Sequence, residues 1–332
     1  MAPSLRPAAT TPWWRNRRVV PFAVQAAAGL VVLVVVAFLL GNLVRNLTAA
    51  GLLLSWGWLD NPAGFDLAES SIPFSASQPY WLALLAGLVN TLKVVLVGLV
   101  GATLLGTAVG SAAFSSNGLL KRLARGYVEL VRNIPLLLQL VFWYFVVFLA
   151  LPNGVNAIQL PGIVLAKSGL YLGWFGEGWQ WQLPHLTGGV WQAPLRLSVE
   201  FGALLTGLVV YTAAFIAEVV RGGIAAVPQG QWEAARSLGF SPVVTLRRIV
   251  MPQALRVIVP GLNSQYISLA KNSSLAVACG YTDLYSVAET TLNQTGRAVE
   301  VVVLLLGSYL VIDLLISALM NGLNAAVQLK ER

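Results

Sequence analysis

The sequence predicts an all-α, polytopic transmembrane protein, and two observations support this prediction. Of the 332 residues, 57% are hydrophobic and only 10% are charged, whereas a soluble domain has about 25% charged residues. Several uncharged stretches also approach or exceed the roughly 20 residues that a helix needs to cross a bilayer. They predict six spans, near residues 19–46, 83–113, 127–151, 198–221, 253–279 and 300–328.

The first predicted span follows a basic N-terminal segment, residues 1–18. A basic segment before an apolar run is also typical of a signal peptide, but the apolar part of a signal peptide has only about 7–15 residues. The run that begins at Val19 is longer. It is therefore interpreted as an uncleaved N-terminal transmembrane helix.

Lysine and arginine are distributed unevenly between the spans. They concentrate in residues 1–18, 114–126, 221–256 and the tail 329–332, whereas the loop 47–82 has none. Because such residues favour the cytoplasmic side, both termini are predicted to be cytoplasmic. Tryptophans favour the headgroup level, and seven of them lie in the outer segments: Trp56, Trp58, Trp81, Trp174, Trp179, Trp181 and Trp191.

The outer segment 152–197 is harder to interpret. Its apolar part, 163–175, is short, is interrupted by glycine and contains Lys167. We expect an interfacial or re-entrant helix here, although two additional spans would preserve the same topology.

The cytoplasmic loop 222–252 is predicted to form two short helices. The first covers Gln231 to Leu238, and Gly239 can end it in a left-handed conformation. Ser241 and Pro242 then provide an N-cap and a proline at the first helical position of a second helix, which is expected to run to Pro252.

The spacing of residues in this loop resembles a known motif. Glu233-Ala234-Ala235, followed by Gly239, Ile249 and Pro252, is similar to the EAA-x3-G-x9-I-x-L-P motif of ABC-importer membrane subunits. Met251 replaces the usual leucine, a change that nearly conserves volume. Four further segments resemble the polar amino-acid (His/Glu/Gln/Arg/opine) permease family: 90–93, 132–140, 217–222 and 271–275.

The resemblance covers residues 83–328 and is strongest to the general L-amino-acid or glutamate/glutamine/aspartate/asparagine branch. It implies a type I ABC importer membrane core of five spans, 83–328, behind an extra N-terminal span, 19–46, and an outer loop, 47–82. It also implies import of polar L-amino acids across the bacterial inner membrane. The residues implied to couple to an ATPase are Glu233, Ala234, Ala235, Arg236, Gly239, Ile249 and Pro252.

The same resemblance implies several partners. These are ABC ATPase subunits that carry ATP and Mg²⁺, a related second permease in a heterodimer, and a periplasmic amino-acid-binding protein. The chain itself is expected to hold no cofactor, because the P-loop pattern G-x-x-x-x-G-K-[ST] is absent and the similar Gly101–Thr107 lacks the lysine. We therefore do not expect an enzyme.

Parts of the sequence are also compatible with other functions. Residues 234–248 also resemble a DNA-binding helix-turn-helix, but apolar spans flank them directly and no third helix follows, so nucleic acid is not an expected partner. Residue types alone are also compatible with an amphipathic loop that has no partner, but the position of the loop between two spans argues against this. A secondary transporter or channel without an ATPase would explain the spans, but not the motif.

Two pairs of opposite charges lie three residues apart near the cytoplasmic ends of spans. Glu129 and Arg132 form one pair, and Glu218 and Arg221 form the other. Residues three apart share a helix face, so we predict intrahelical ion pairs at an inner gate. The alternative is anchoring at the interface, with side chains extending to water.

Polar residues deeper in the spans are candidates for a substrate pathway, because such groups are costly in a bilayer. The alternative is hydrogen bonding between helices. The candidates are Glu200, Asn263, Gln265, Lys271 and Asn272. Cys279 and His185 are the single cysteine and histidine, so the sequence has neither a disulfide pair nor a Cys/His metal cluster.

Overall fold

The computed structural model describes residues 19–49, 51 and 54–328, and the chain divides into two compact units, Met1–Trp56 and Gly57–Arg332. In the first unit, helix α1 covers Val19–Ala49. Its apolar side chains from Phe22 onward are exposed, as expected for a helix surrounded by lipid. The predicted termini 1–18 and 329–332 lie outside the described residues.

The second unit is mainly helical, which confirms the predicted fold class. Its helices are α2 (Tyr80–Ala112), α3 (Gly118–Arg132), α4 (Leu136–Val141), α5 (Val199–Ala225), α6 (Gln229–Ser237), α7 (Pro242–Thr245), α8 (Met251–Asn272), α9 (Leu284–Thr295) and α10 (Ala298–Val327). A π-helical segment, Phe142–Phe148, extends α4, and a 3₁₀ helix, Ser273–Cys279, follows α8.

Among the described residues, four helices are long and apolar enough to cross a membrane: α1, α2, α5 and α10. The pair α3 and α4 would make a fifth span if it is counted as one. Helix α8, within the predicted fifth span, falls short because it carries Arg256, Lys271 and several uncharged polar side chains. It packs against α5 and α10, which reduces its exposure to lipid.

Helices α2 and α5 are in near backbone contact because glycines on α2 leave room for α5. A Cβ atom at Gly106 would lie 2.6 Å from the Cβ of Ile216 and 2.8 Å from the carbonyl oxygen of Ala213. A Cβ atom at Gly110 would lie 2.6 Å from the carbonyl oxygen of Ala217. These distances are shorter than van der Waals contact, so only glycine fits at both positions.

The third predicted span, 127–151, is not one straight helix. The chain bends by 104° between α3 and α4. Pro135 causes the break, since proline lacks the N–H of a helical bond and disfavours helical backbone at the residue before it. The buried amide of Gln139 donates hydrogen bonds to the carbonyl oxygens of Val131, in the last turn of α3, and of Ile134, just after it, both at 2.9 Å.

The expected helix in segment 152–197 was wrong, because this segment folds as a small β domain. Its strands are β1 (Ile158–Leu160), β2 (Ile163–Ala166), β3 (Gly169–Leu172), β4 (Trp174–Phe175), β5 (Trp181–Gln182), β6 (His185–Thr187), β7 (Val190–Gln192) and β8 (Leu195–Leu197). They form an antiparallel sheet β1-β2-β3-β8 and two hairpins, β4–β5 and β6–β7. The frequent glycines, which suit turns and disfavour helix, explain the difference.

The β domain has its own core and is attached directly to α5. Trp191 of β7 is 7% exposed, packs with Val164 and Tyr171 of the sheet, and donates its indole N–H to the carbonyl of Gly154 at 2.8 Å. Strand β8 ends at Leu197, and the hydroxyl of Ser198 then caps α5 by accepting the N–H of Phe201 at 3.0 Å.

The loop before α2 is fixed to the outer part of the bundle. The buried side chain of Asn90 accepts hydrogen bonds from the N–H and hydroxyl of Ser71, at 3.1 and 2.8 Å. The carboxylate of Glu69 forms an ion pair with Lys93 at 3.1 Å and accepts a hydrogen bond from the hydroxyl of Ser198. This loop therefore connects α2 to the start of α5.

Asp283 caps α9 on the same side of the bundle. Its carboxylate accepts the N–H of Ser286 at 2.9 Å and the hydroxyl of Tyr309 at 3.4 Å. Burial raises the pKa of Asp283 to about 7, and the hydrogen bonds partly oppose that shift.

We expect Gly106→Ala to destabilise the protein by about 2 kcal/mol, because the added methyl group must separate α2 from α5. Gly307→Ala in α10 is the matched control, since a Cβ there meets nothing within 4 Å. Thermal unfolding of the purified protein in detergent would measure both variants. Equal unfolding midpoints for the two variants would contradict the close contact.

Candidate functional site

The first short helix of the loop 222–252, called the motif loop below, ends in a regular Schellman motif. Gly239 has a φ of +76°, a left-handed conformation that favours glycine. Its N–H donates to the carbonyl of Arg236 at 2.9 Å, and the N–H of Phe240 donates to that of Ala235 at 3.1 Å. These are the two hydrogen bonds of the motif, so Gly239 sets the direction in which the chain leaves α6.

The second short helix begins as predicted but does not stop at Pro252. The hydroxyl of Ser241 accepts the N–H of Val244 at 3.4 Å and caps α7. The backbone then continues through a π-helical segment, Leu246–Val250, directly into α8. Pro252 is the second residue of α8 and directly follows the π-helical segment, where the regular hydrogen-bond pattern of an α-helix is already changed.

Several large apolar side chains are exposed around the turn between α6 and α7. They are Leu238 and Val243, both more than 70% exposed, and Phe240, which is 44% exposed. Exposed apolar side chains that cluster at a turn are typical of a contact surface for another protein. These residues are not among the predicted site residues, although the order Leu-Gly-Phe-Ser-Pro-Val, with apolar residues around turn residues, is a signal that could have indicated them.

The other motif residues divide between the inside and the outside of the loop. Ala235 is buried and therefore packs within this chain, contrary to the expectation that it contacts an ATPase. Ala234, Arg236 and Pro252 are exposed, and Ile249 is half-buried. Glu233 is also exposed, and one of its carboxylate oxygens accepts a hydrogen bond from the amide of Gln229 at 2.9 Å.

The inner side of the loop is joined to the helical bundle by aromatic and aliphatic contacts. The indole of Trp232 stacks on Phe114, just after α2, with ring centroids 6.4 Å apart. Trp232 also packs against a core cluster that includes Ile224, Val227 and Val250. The loop is therefore packed against the ends of α2, α5 and α8.

A cavity of about 770 Å³ lies next to this loop, between α3 and the C-terminal ends of α2 and α5. It contains all four predicted gate residues. Its charged and polar lining residues are Lys121, Arg125, Glu129, Arg132, Asn133, Glu218 and Arg221.

The ion pairs in this cavity differ from the predicted ones. Arg221 binds Glu218 through two nitrogens, at 2.7 and 2.8 Å, as predicted for α5. Arg132 instead reaches across to Glu218, at 4.0 Å, and lies over the ring of Phe215 at 5.0 Å. Glu129 forms no ion pair with any described residue, because Arg132 ends α3 and points toward α5.

Three of the five predicted pathway residues lie together. Gln265, Lys271 and Asn272 line a second cavity of about 220 Å³. The other lining residues come from α5 and α8, namely Tyr211, Thr212, Phe215 and Ser268. The ammonium group of Lys271 lies 3.4 Å from the carboxylate of Asp313 in α10.

The other two predicted pathway residues are not among the residues that line this second cavity. Glu200 is in the first turn of α5 and accepts the hydroxyl of Tyr144 at 3.3 Å. The side-chain oxygen of Asn263 is buried without a hydrogen-bond partner among the described residues.

Residues 102–328, about two thirds of the chain, match the family described as "Binding-protein-dependent transport system inner membrane component". The chain belongs to this family. It is therefore a multi-pass inner-membrane protein, and the family is a non-catalytic component of transport systems. The motif loop and both cavities lie within the matched residues.

Relatives with assigned names are similar to this permease over nearly its full length. The putative amino-acid ABC transporter permease protein YhdX of Escherichia coli (strain K12) is 37% identical over 93% of this chain and 94% of its own. The general L-amino acid transport system permease protein AapQ of Rhizobium johnstonii is 38% identical over 88% of this chain and 87% of its own.

Solved structures share the permease fold. A crystal structure of an amino acid ABC transporter with histidines has a TM-score of 0.55 and 26% identity, and covers 74% of this chain and 95% of that one. The inward-facing MetNI methionine ABC transporter has a TM-score of 0.52 and 21% identity, and covers 75% of this chain and 97% of that one. The predicted importer core behind an extra N-terminal helix is thus confirmed.

We expect Gly239→Val to loosen the permease loop, because a left-handed β-branched residue costs about 1–2 kcal/mol. Trypsin should then cut faster at Arg236, Arg247 and Arg248, since cleavage follows local opening. Gly230→Ala in α6 is the control, because its added methyl meets nothing within 4 Å and favours helix. Equal cleavage rates would show that Gly239 does not hold the loop.

Proposed function

We propose that this permease carries polar L-amino acids into the bacterial cell, driven by a separate ATPase that docks on the loop 228–252. The observation that supports this most directly is the exposed apolar turn of Leu238, Phe240 and Val243 inside the motif loop. Because this loop packs on the ends of α2, α5 and α8, a force on it reaches the helices that line both cavities.

Membership of the family indicates some of the partners of this permease. Permeases of this family associate with ATPase subunits and a substrate-binding protein. We propose that ATP and Mg²⁺ bind to the ATPase subunits, and that the second permease is a related but non-identical chain. The absence of a P-loop lysine from the sequence supports ATP binding on the ATPase subunits. The resemblance to the longer permease branch supports a non-identical second permease.

We also propose that both termini are cytoplasmic, as the distribution of lysine and arginine predicts. In this orientation the motif loop faces the cytoplasm, where ATP is available, and the β domain lies outside.

The cargo is proposed from the relatives and from the charges in the cavities. The relatives are described as permeases for amino acids, including a glutamate/glutamine/aspartate/asparagine permease of Rhodobacter capsulatus that is 34% identical over 93% of this chain. A zwitterion needs partners of both signs, and the larger cavity provides Arg132 and Glu218, among others. Lys271, Gln265 and Asn272 are proposed pathway residues in the smaller cavity.

Reconstitution tests the function and the docking turn together. Proteoliposomes that contain the full complex should take up L-amino acids only with ATP and the binding protein. We expect Val243→Asp to reduce ATPase co-purification and uptake by at least about tenfold, because a charge would be buried in the contact. Val155→Asp is the control, since Val155 is similarly exposed but lies at the β domain.

Uptake by the permease alone without ATP would contradict the proposal and indicate a secondary transporter or channel. Normal uptake by Val243→Asp would leave the importer intact but exclude the exposed turn as the docking surface.

The ion pair of Glu218 with Arg221 is proposed to stabilise the closed inner gate. Glu218→Arg and Arg221→Glu should each uncouple ATP hydrolysis from uptake, because each places like charges 3 residues apart. The double exchange should restore coupling at least in part. Glu129→Gln is the control because Glu129 has no described ion pair. Unchanged ATPase and uptake rates in both single variants would exclude the gate.

A further inference from the structure

The hairpin β4–β5 of the β domain carries an exposed aromatic surface. Its rings belong to Trp174, Phe175, Trp179 and Trp181, and each of them is at least 46% exposed. Trp179, at the tip of the hairpin, is 85% exposed. We call these four residues the aromatic hairpin surface.

The four rings form one cluster rather than separate exposed side chains. The ring centroid of Phe175 lies 5.4 Å from that of Trp181, 6.0 Å from Trp179 and 6.2 Å from Trp174. Aromatic pairs at these distances stabilise one another. The hairpin therefore presents a continuous apolar patch.

This surface is not needed for the core of the β domain. The second hairpin supplies that core through Trp191, which is buried against the sheet with its indole N–H bonded. The same small domain thus has one hairpin whose tryptophan is buried and one whose tryptophans are exposed. A clustered apolar patch that the fold does not cover is typical of a binding surface.

The strand pairing indicates where the hairpin lies relative to the bilayer. Leu197 of β8 immediately precedes the start of α5, and Leu170 of β3 pairs with it. Leu170 also lies against Gly202, in the first turn of α5, where a Cβ would come within 2.5 Å of it. The Leu170 end of β3 is therefore the membrane-proximal end.

Strand β3 runs from this proximal end toward Leu172, which pairs with Leu195. The aromatic hairpin starts two residues later, at Trp174. It therefore leaves the sheet at the end remote from α5. This placement favours a partner in the aqueous phase over the headgroups of the outer leaflet.

The backbone at the tip is strained. Trp179 has a φ of +58°, and it is the only described residue other than glycine with a positive φ. A left-handed conformation is unfavourable for a tryptophan, and such strain is concentrated at binding sites. The indole at this position is 85% exposed, with the ring of Phe175 6.0 Å away.

We propose that the aromatic hairpin surface is where the soluble substrate-binding protein docks on the outer side of the permease. The family depends on such a protein, and it is the partner expected in the aqueous phase beyond the membrane. Tryptophan is enriched among the residues that dominate the affinity of protein interfaces. This inference rests on the proposed importer function, to which it adds a contact surface.

The test measures ATP hydrolysis by the complete importer in lipid nanodiscs against the concentration of binding protein. Trp179→Asn removes the ring but keeps a residue that tolerates left-handed backbone. We expect the half-saturating concentration to rise at least about tenfold, with an unchanged rate at saturation. Trp179→Tyr should restore most of the affinity, which a purely structural role of the hairpin would not explain.

Two further variants complete the series. Trp181 lies in a regular strand, so Trp181→Ala removes part of the same surface without changing the strained tip. This variant should also raise the half-saturating concentration of binding protein. Val190→Asn is the control, because Val190 is exposed on the other hairpin, and it should leave that concentration within about twofold. Wild-type values for both tryptophan variants would overturn the inference.

Other occupants give distinct results. A fluorophore on Trp179→Cys, in a Cys279→Ala background, would be quenched by spin-labelled lipid if the hairpin lay on the membrane, which would overturn the inference. If a tryptophan variant changed the number of permease chains per complex, the surface would bind another permease chain, and this result would also overturn the inference. If wild-type complexes show no ATP-dependent uptake at all, the proposed importer function fails. If they do show uptake and the tryptophan variants behave like wild type, only the proposed docking surface is refuted.

Discussion

The near backbone contact between α2 and α5 determines the position of the other core elements. Gly106 and Gly110 permit it, and α5 can then contact α3, α4 and α8 around its remaining faces. In lipid, helix association relies on such close packing because burial of apolar surface from water provides no driving force. Helix α5 thereby joins three regions: the β domain at its start, the larger cavity along its C-terminal half and the motif loop at its end.

Much of the fold could be predicted because it depends on local properties of the sequence. Uncharged runs of about 20 residues identify helices that lie in a bilayer, and α2, α5 and α10 lie within a few residues of their predicted bounds. The turn at Gly239 and the cap at Ser241 were likewise predictable, since each follows from the preference of one residue type for one backbone conformation.

The remaining features depend on contacts between distant residues. The charge of Arg132 is compatible with Glu129 or Glu218, and only the bend at Pro135 and the packing on α5 select the second. The β domain was missed because its strands have only two to four residues. An alternating pattern over so few residues cannot be distinguished from a general apolar stretch. The exposed residues Leu238 and Val243 were missed because a turn gives no periodicity from which exposure can be judged.

The helical backbone that begins at Pro242 has a mechanical consequence. From α7 through the π-helical segment to the end of α8 at Asn272, helical turns follow one another without an intervening loop, over about 45 Å. A bound protein that displaced the turn at Val243 would thus act on a continuous helical segment whose far end carries Lys271, and Pro252 and Pro260 are the points at which this segment can bend. Because helical backbone connects the two ends, a displacement of the turn can reach the residues of α8 that line the smaller cavity.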